Sequence, residues 1–307
     1  MLLSLSGISS AQNGPTFRAG VSLVHVDVEV LGENGRVLSG LSQPDFKFFD
    51  EGQAQSIALF SAEEQPLDLI LLFDISGSMR IQVKKVAAVA RQGLRELRPG
   101  DRIAVMVFSS ESQVVAPFSD DLDAVERAIE RVLKLRFRGR TFIQAAVYDA
   151  ANRFIYWGDR NHRRRAVLIV TDNHGRPTRS KASVLEHLWE ADALLSGLVV
   201  TDRVANVSIG GLLEQFGVKR PGGIEDFVEN TGGDLIRSDD LVAAFPEMMH
   251  RIRSRYSLYY PLPKGDLDSV RTIRVELTAE AQQRFPGAHV TSRRGYRLRD
   301  SYGFTQR

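Results

Sequence analysis

The 307-residue chain contains no cysteine. That excludes a disulfide framework, a zinc ribbon, an iron–sulfur site and a thiol nucleophile. It also lacks an excess of one charge: 40 Lys+Arg stand against 38 Asp+Glu, a formal net charge of +2. Net charge therefore gives no ground for nucleic-acid binding. No apolar run approaches the roughly 18 residues needed to cross a bilayer. The longest, Leu69-Ile70-Leu71-Leu72-Phe73, has the length of a buried strand. The 43% hydrophobic and 25% charged residues exclude a wholly disordered, collagen-like or coiled-coil chain. At roughly 150 residues per domain, about two domains are expected.

The N-terminus, Met1 to Gln12, resembles the rear half of a secretory signal. An apolar stretch leads to small residues at Ser9 and Ala11, without the basic segment that normally precedes it. Residues 1–16 are accordingly expected to be a truncated export-signal remnant, and the protein to be exported to the periplasm, the cell envelope or the medium.

Val24, Val26, Val28 and Val30 alternate with His25, Asp27 and Glu29, the period of a half-buried strand. Short strands are expected at Phe46 to Phe49 and Ile57 to Phe60, split by a turn at Asp50-Glu51-Gly52. From Leu67 the pattern changes. Apolar runs at Leu67 to Asp74, Ile103 to Phe108, Ala166 to Thr171, Gly197 to Val200 and Leu235-Ile236 read as strands. Between them, Val83 to Leu97, Leu122 to Leu135, Ile143 to Ile155, Ser183 to Leu195, Ile224 to Asn230 and Leu241 to Arg255 read as helices. Strands apolar on both faces that alternate with helices predict a doubly wound, mostly parallel α/β sheet with helices on both faces. After Arg255, strands are expected again at Tyr256 to Tyr260 and Val270 to Leu277, and a hairpin of His289 to Thr291 with Tyr296 to Leu298 around Arg294-Gly295. Neither end segment is large enough to bury a core alone. Segments 17–64 and 256–307 are thus expected to pair into one small β module flanking an α/β domain at 65–255.

Asp74-Ile75-Ser76-Gly77-Ser78 lies between the first buried strand of that domain and its first helix. Ligands of open parallel sheets bind at that carboxyl end. A carboxylate and two hydroxyls at alternate positions suit a hard cation such as Mg²⁺. The same residues suit a helix N-cap equally well.

Phe73 to Met79 resembles the first signature of the von Willebrand factor A domain family, which carries a metal-ion-dependent adhesion site (MIDAS). Gly139-Arg140-Thr141, followed by Ala146 to Ala150, is similar to the family's threonine loop. Leu168-Ile169-Val170-Thr171-Asp172 is similar to its last aspartate loop. The resemblance covers roughly Leu67 to Arg255. It implies that Ser76 and Ser78 bind metal directly, Thr141 directly or through water, and Asp74 and Asp172 mainly through water. The implied metal is Mg²⁺, with Mn²⁺ or Ca²⁺ as alternatives. The implied partner is a protein presenting Asp or Glu to the metal, with no nucleic acid and no bond-making by the protein. Arg140 stands where members often have glycine, and Asn173-His174-Gly175 follows the last aspartate where they often have glycine at once. The flanks, Gly40 to Phe46 with Glu51-Gly52 and Tyr256 to Pro261 with Arg294 to Tyr296, resemble an exported bacterial subgroup of the family.

Two other functions compete. A hydrolase could use Ser76 or Ser78 with His174 as base and Asp172 as its orienter. Neither serine has the Gly-x-Ser-x-Gly frame, and His174 stands at an awkward spacing from Asp172 for a side-chain pair. The run Arg160-Asn161-His162-Arg163-Arg164-Arg165 could bind nucleic acid, but lies opposite the metal loops and reads more simply as a solvated turn. Trp157, Trp189, Tyr256, Tyr259 and Tyr260 read as packing residues, and Asp120-Asp121-Asp123 as a helix N-cap. Arg80, Arg138, Arg140, Arg176 and Arg179 flank the three loops and are expected to form a basic rim.

Overall fold

The computed structural model describes residues 23–62, 65–157, 163–201, 222–265 and 269–298. The expected leader, residues 1–16, lies outside them, as do Arg160, Asn161 and His162 of the basic run.

A six-stranded sheet forms the centre. Its strands are β5 (Leu67–Asp74), β6 (Arg102–Phe108), β7 (Ser112–Ser119), β8 (Arg164–Thr171), β9 (Ala193–Val200) and β10 (Leu235–Ser238), in the order β10-β9-β8-β5-β6-β7. All neighbours are parallel except β7, an antiparallel edge strand on β6. The sequence reading missed β7, whose mixed pattern Ser112-Gln113-Val114-Val115-Ala116-Pro117 reflects its half-exposed position. Period-two alternation splits β5 between two cores. Leu67, Leu69, Leu71 and Phe73 meet the apolar faces of α1 (Arg80–Leu94), α2 (Leu122–Val132) and α6 (Leu241–Arg253). Ile70 and Leu72 meet α3 (Ile143–Trp157), α4 (Lys181–Glu190) and α5 (Glu225–Thr231). The chain thus leaves β5 toward β6 on one side and later returns to β8 on the other. This places the topological switch point, where open α/β sheets bind ligands, at the end of β5.

Helix α4 stops at Glu190, where a helix to Leu195 was expected. Ala191 caps it and Asp192 turns at positive φ (49°). The apolar residues Ala193, Leu194 and Leu195 then continue a stripe by composition while building β9. Asp121 caps α2 by accepting a hydrogen bond from Ala124 N–H at 3.0 Å. Trp189 is buried and Trp157 partly exposed at the end of α3.

The end segments build two four-stranded sheets around a shared core. One has the order β13-β1-β11-β4, the other β14-β12-β2-β3. Here β1 is Leu23–Leu31, β2 Phe46–Asp50, β3 Gln53–Gln55, β4 Leu59–Ser61, β11 Tyr256–Pro261, β12 Val270–Leu277, β13 His289–Ser292 and β14 Gly295–Arg297. N- and C-terminal strands pair directly, β1 with β11 and β13, and β2 with β12. The expected hairpin around Arg294-Gly295 is absent. β13 joins β1 and β14 joins β12, so the chain passes from one sheet to the other at that point. A short helix, α7 (Ala279–Arg284), also escaped the sequence reading. Its N-cap Thr278 accepts from Ala281 N–H at 3.2 Å.

The valines of β1 face the module's core together with Phe48, Leu258, Tyr260 and Tyr296. Its polar face is not solvated as a half-buried strand implies. His25, Asp27 and Glu29 face the α/β domain at the strand-start edge of the central sheet. Arg164, wholly buried at the start of β8, donates to Asp27 Oδ1 (2.8 Å) and to the carbonyls of Arg253 (2.9 Å) and Arg255 (3.1 Å). Arg293 Nη1 meets Asp192 at 2.6 Å, and Arg255 meets Asp234 just before β10. Gly232 caps α5 at positive φ (77°), where a Cβ would fall 2.3 Å from the Arg293 backbone nitrogen. Only glycine permits both the conformation and this approach of the two units.

Candidate metal centre

Asp74 ends β5 fully buried. The loop after it is held to the neighbouring strand by Ile75 N–H donating to Phe108 O at 2.8 Å. A 3₁₀ turn, Gly77–Met79, then leads directly into α1. Both readings of the motif, cation loop and helix cap, had been open. Neither serine hydroxyl caps a helix: Ser76 makes no side-chain cap bond, and Met79 is the N-cap of α1. Instead Ser76 Oγ lies 3.3 Å from Ser78 Oγ, and Ser78 Oγ–H donates to Asp172 Oδ2 at 2.6 Å.

The second loop is set by Gly139 at φ 102°, a conformation open to few residues but glycine. Phe142 N–H donates to Ser109 O at 3.0 Å, and Thr141, nearly buried, accepts at its carbonyl from Arg176 N–H, also at 3.0 Å. The second loop is therefore tied to the third through backbone. Among the described residues no hydrogen bond joins the Thr141 hydroxyl to the other four expected ligands.

The third loop follows β8. Thr171 Oγ–H donates to Asp74 Oδ2 at 2.8 Å, and Ser76 N–H donates to Asp74 Oδ1 at 2.8 Å. Each Asp74 oxygen thus holds one donor. Asn173 takes a left-handed φ of 59°, so here it is asparagine that supplies the conformation for which relatives often use glycine. Its side chain accepts from Ile224 N–H (3.1 Å) and donates to Glu225 Oε1 (2.7 Å), which also accepts from Arg237 (2.7 Å). Thr171, Asn173 and Glu225 were missed from sequence. Glu225 is 52 residues from its partner and carries no local signal.

Burial pushes the Asp74 carboxyl up to about 6, and the Asp172 charge adds to this, against the Ser76 and Thr171 donors that pull it down. Burial also works against ionised Asp172, but hydrogen bonds from His174 and Ser78 outweigh it and hold this carboxyl below its usual range. His174 Nδ1 stands 3.4 Å from Asp172 Oδ1 while its N–H donates there at 3.1 Å. The sequence spacing that argued against such a pair is bridged by the tight turn at Asn173.

Among the described residues no three His, Asp or Glu side chains gather as metal ligands. What gathers is a set of hydroxyls with two aspartates, and hard cations take such oxygens. The donor chemistry fits a hexacoordinate cation that keeps several waters.

The family model of the von Willebrand factor type A domain matches residues 69–175, which span β5, all three loops and β8. The chain contains a von Willebrand factor type A domain. Several solved structures are similar to it. One is an aerotolerance-related membrane protein from Bacteroides fragilis, 17% identical, over 61% of this chain and 98% of that one, with a TM-score of 0.44. Another is a von Willebrand factor type A protein from Catenulispora acidiphila, 13% identical, over 93% and 76%, TM-score 0.46. A third is proximal thread matrix protein 1 from the mussel byssus with a zinc-occupied MIDAS motif, 14% identical, over 66% and 49%, TM-score 0.46. No curated protein matches the chain. The rim arginines Arg80, Arg138, Arg140, Arg176 and Arg179 are all exposed. Arg80 lies over the Phe137 ring at 5.8 Å and Arg179 over Tyr148 at 3.9 Å.

Proposed function

We propose that this protein is a divalent-metal-dependent protein-binding module. Ser76, Ser78 and Thr141 would offer hydroxyls to the cation, and Asp74 and Asp172 would act mainly through water. The observation that carries this reading is the pairing of Ser76 Oγ and Ser78 Oγ at 3.3 Å, away from any capping role, with Asp172 at 2.6 Å from Ser78. Neutral hydroxyls leave the cation's charge largely uncompensated, so a partner's Asp or Glu is attractive at an open coordination position. Mg²⁺ is the preferred ion, since it favours oxygen ligands and retains waters.

The hydrolase reading fares less well. Asp172, not His174, accepts the Ser78 proton, so the aspartate lies between the serine and the histidine. A nucleophile needs its base in that position. The nucleic-acid reading loses three of its cations: Arg163 engages Asp68 (2.7 Å) and backbone carbonyls, Arg164 is buried, and Arg165 donates to Ala191 O (2.8 Å). No helix among the described residues is long and apolar enough to cross a membrane. The leader-like pattern of Met1 to Gln12 is what supports reading the protein as an exported module of the cell envelope.

Isothermal titration with Mg²⁺ or Mn²⁺ tests the site. The wild type is expected to bind, and Ser76→Ala with Ser78→Ala to lose measurable binding while keeping its fold. Unchanged affinity in the double variant would sink the assignment. Capture of a protein from envelope extract that is lost on chelation and regained with Mg²⁺ tests the function.

A further inference from the structure

The segment between α2 and Thr141 reads Lys134-Leu135-Arg136-Phe137-Arg138-Gly139-Arg140. Leu135 and Phe137 pack against the core below α1, while Lys134, Arg136, Arg138 and Arg140 are exposed. From Arg136 onward the segment is not helical. Arg136 and Arg138 stand two residues apart and exposed, and the chain then bends at Gly139 (φ 102°) before the exposed Arg140. Arg80 lies over the Phe137 ring, and Arg176 N–H donates to the Thr141 carbonyl, so both residues stand beside this segment. The row therefore begins at α2 and ends against the three loops.

Elsewhere several exposed arginines find carboxylates, although Arg36, Arg95 and Arg131 pair with none among the described residues. Arg91 meets Glu126 (2.5 Å), Arg127 meets Asp121 (3.6 Å), and Arg294 meets Glu229 (2.5 Å). Arg274 and Arg284 likewise pair with Glu276 and Asp45. Arg80, Arg136, Arg138, Arg140 and Arg176 pair with no carboxylate among the described residues. Glu111, on the adjoining Ser109-Ser110-Glu111 turn, is exposed and pairs with no cation among the described residues. A row of like charges without counter-ions is repulsive within the molecule and attractive to a complementary strand.

We propose that Arg136, Arg138 and Arg140, extended by Arg80 and Arg176, form a docking strip for an extended acidic segment of a partner protein. Its last carboxylate reaches the metal, a step that rests on the function proposed above; the strip itself does not. The geometry favours a peptide over nucleic acid, because the row is short, single and ends at a carboxylate-accepting position, with no aromatic side chain exposed between the arginines for base stacking.

The test uses a fluorescent ten-residue peptide of alternating Glu and Ser, its anisotropy followed against the full chain with Mg²⁺ and with EDTA. Three proteins are compared: wild type, Arg136→Ala with Arg138→Ala and Arg140→Ala, and Ser76→Ala with Ser78→Ala. Wild type is expected to bind in EDTA and more tightly in Mg²⁺. The arginine variant should lose roughly tenfold in affinity in both conditions and show a flatter salt dependence. Its Mg²⁺ affinity and circular dichroism should match wild type. The corresponding Arg→Lys triple variant should retain most binding, which separates charge from local packing. The serine variant should keep the EDTA affinity and lose only the Mg²⁺ increment. If the serine variant shows no such loss while the arginine variant does, the metal reading fails and the strip stands. A wild type that does not bind the peptide, an arginine triple variant that binds as wild type does, or tighter binding of a ten-nucleotide single strand overturns the strip.

Discussion

The two edges of the central sheet use the same residue type in opposite ways. At the strand-start edge, Arg164 and Arg255 are buried and engaged: β6, β8, β9 and β10 open on or just after a charged residue, and β5 carries Asp68 at its second position, each engaged across the junction or with its neighbour. At the strand-end edge, Arg80, Arg138, Arg140 and Arg176 are exposed and have no carboxylate partner among the described residues. Desolvation decides the difference. A buried guanidinium must have its charge and donors met by the fold, so it becomes a fastener between units. An exposed one is met by water, so its charge remains available to another molecule. The first edge holds the molecule together, and the second is left open.

Breaking the fastened edge should have the largest effect. Arg164→Met keeps most of the side-chain volume but leaves Asp27 buried beside two carbonyls that have lost their donor. Removing one partner of a buried pair costs about 3–5 kcal/mol. Urea denaturation should show a loss of that order, with the β module freed from the α/β domain. A loss below about 1 kcal/mol, the scale of an exposed pair, would mean that this edge is no different from the surface.

A smaller effect comes from protons held at the same edge. Glu29 lies 3.9 Å from Arg255, whose guanidinium is already taken by Asp234. Burial, with the Asp234 charge, pushes the Glu29 carboxyl up to about 9 despite Arg255. Burial would lower the His25 imidazole, but Asp27 and Asp192 raise it to about 9. Both groups thus hold protons in the folded chain that the unfolded chain releases. The stability from Glu29 is complete below its ordinary value of 4.5 and falls as pH rises toward about 9. That from His25 is complete below 6.5 and is lost as pH rises through about 9. Stability should therefore fall from pH 6 to pH 9, by at most about 1.4 kcal/mol per unit for each group. Glu29→Gln, which cannot ionise, should flatten this slope in denaturant titrations at the two pH values. An unchanged slope would remove Glu29 from the alkaline loss.

The contrast also explains what could be read from sequence. The loops at the strand-end edge were placed from sequence because their signals are local: Asp74, Ser76 and Ser78 fall within five residues, and Asp172 directly follows a recognisable buried strand. The parallel sheet was legible because apolar runs with no polar alternation have few other uses. The strand-start edge was illegible because its partners are far apart in sequence. Arg164 and Asp27 are separated by 137 residues, and nothing at either position announces the other. The basic run therefore read as a solvated turn, and His25, Asp27 and Glu29 as the wet face of a strand. The same limit hid Glu225 behind Asn173. The switch at Arg294-Gly295 from one sheet to the other was hidden for another reason: two short strands beside a glycine satisfy a hairpin as well as they satisfy a crossing.

The smallest expected effect is at the open edge, and its smallness is what sharpens the comparison. Arg138→Ala with Arg140→Ala removes two cations that touch no carboxylate among the described residues, and their neighbours Phe137 and Gly139 keep the loop's packing and turn. The Arg140 backbone N–H still donates to Ser110 Oγ at 3.2 Å, because that bond needs no side chain. Surface substitutions away from caps, cores and buried pairs usually fall within about 0.5 kcal/mol. Here the sign should even be slightly favourable at low salt, since the arginines repel one another, and the gain should vanish as salt screens that repulsion. Urea midpoints at low and moderate salt give the measurement. A loss of about 2 kcal/mol or more would show that these arginines support the fold after all, and the two edges would then differ in exposure without differing in role.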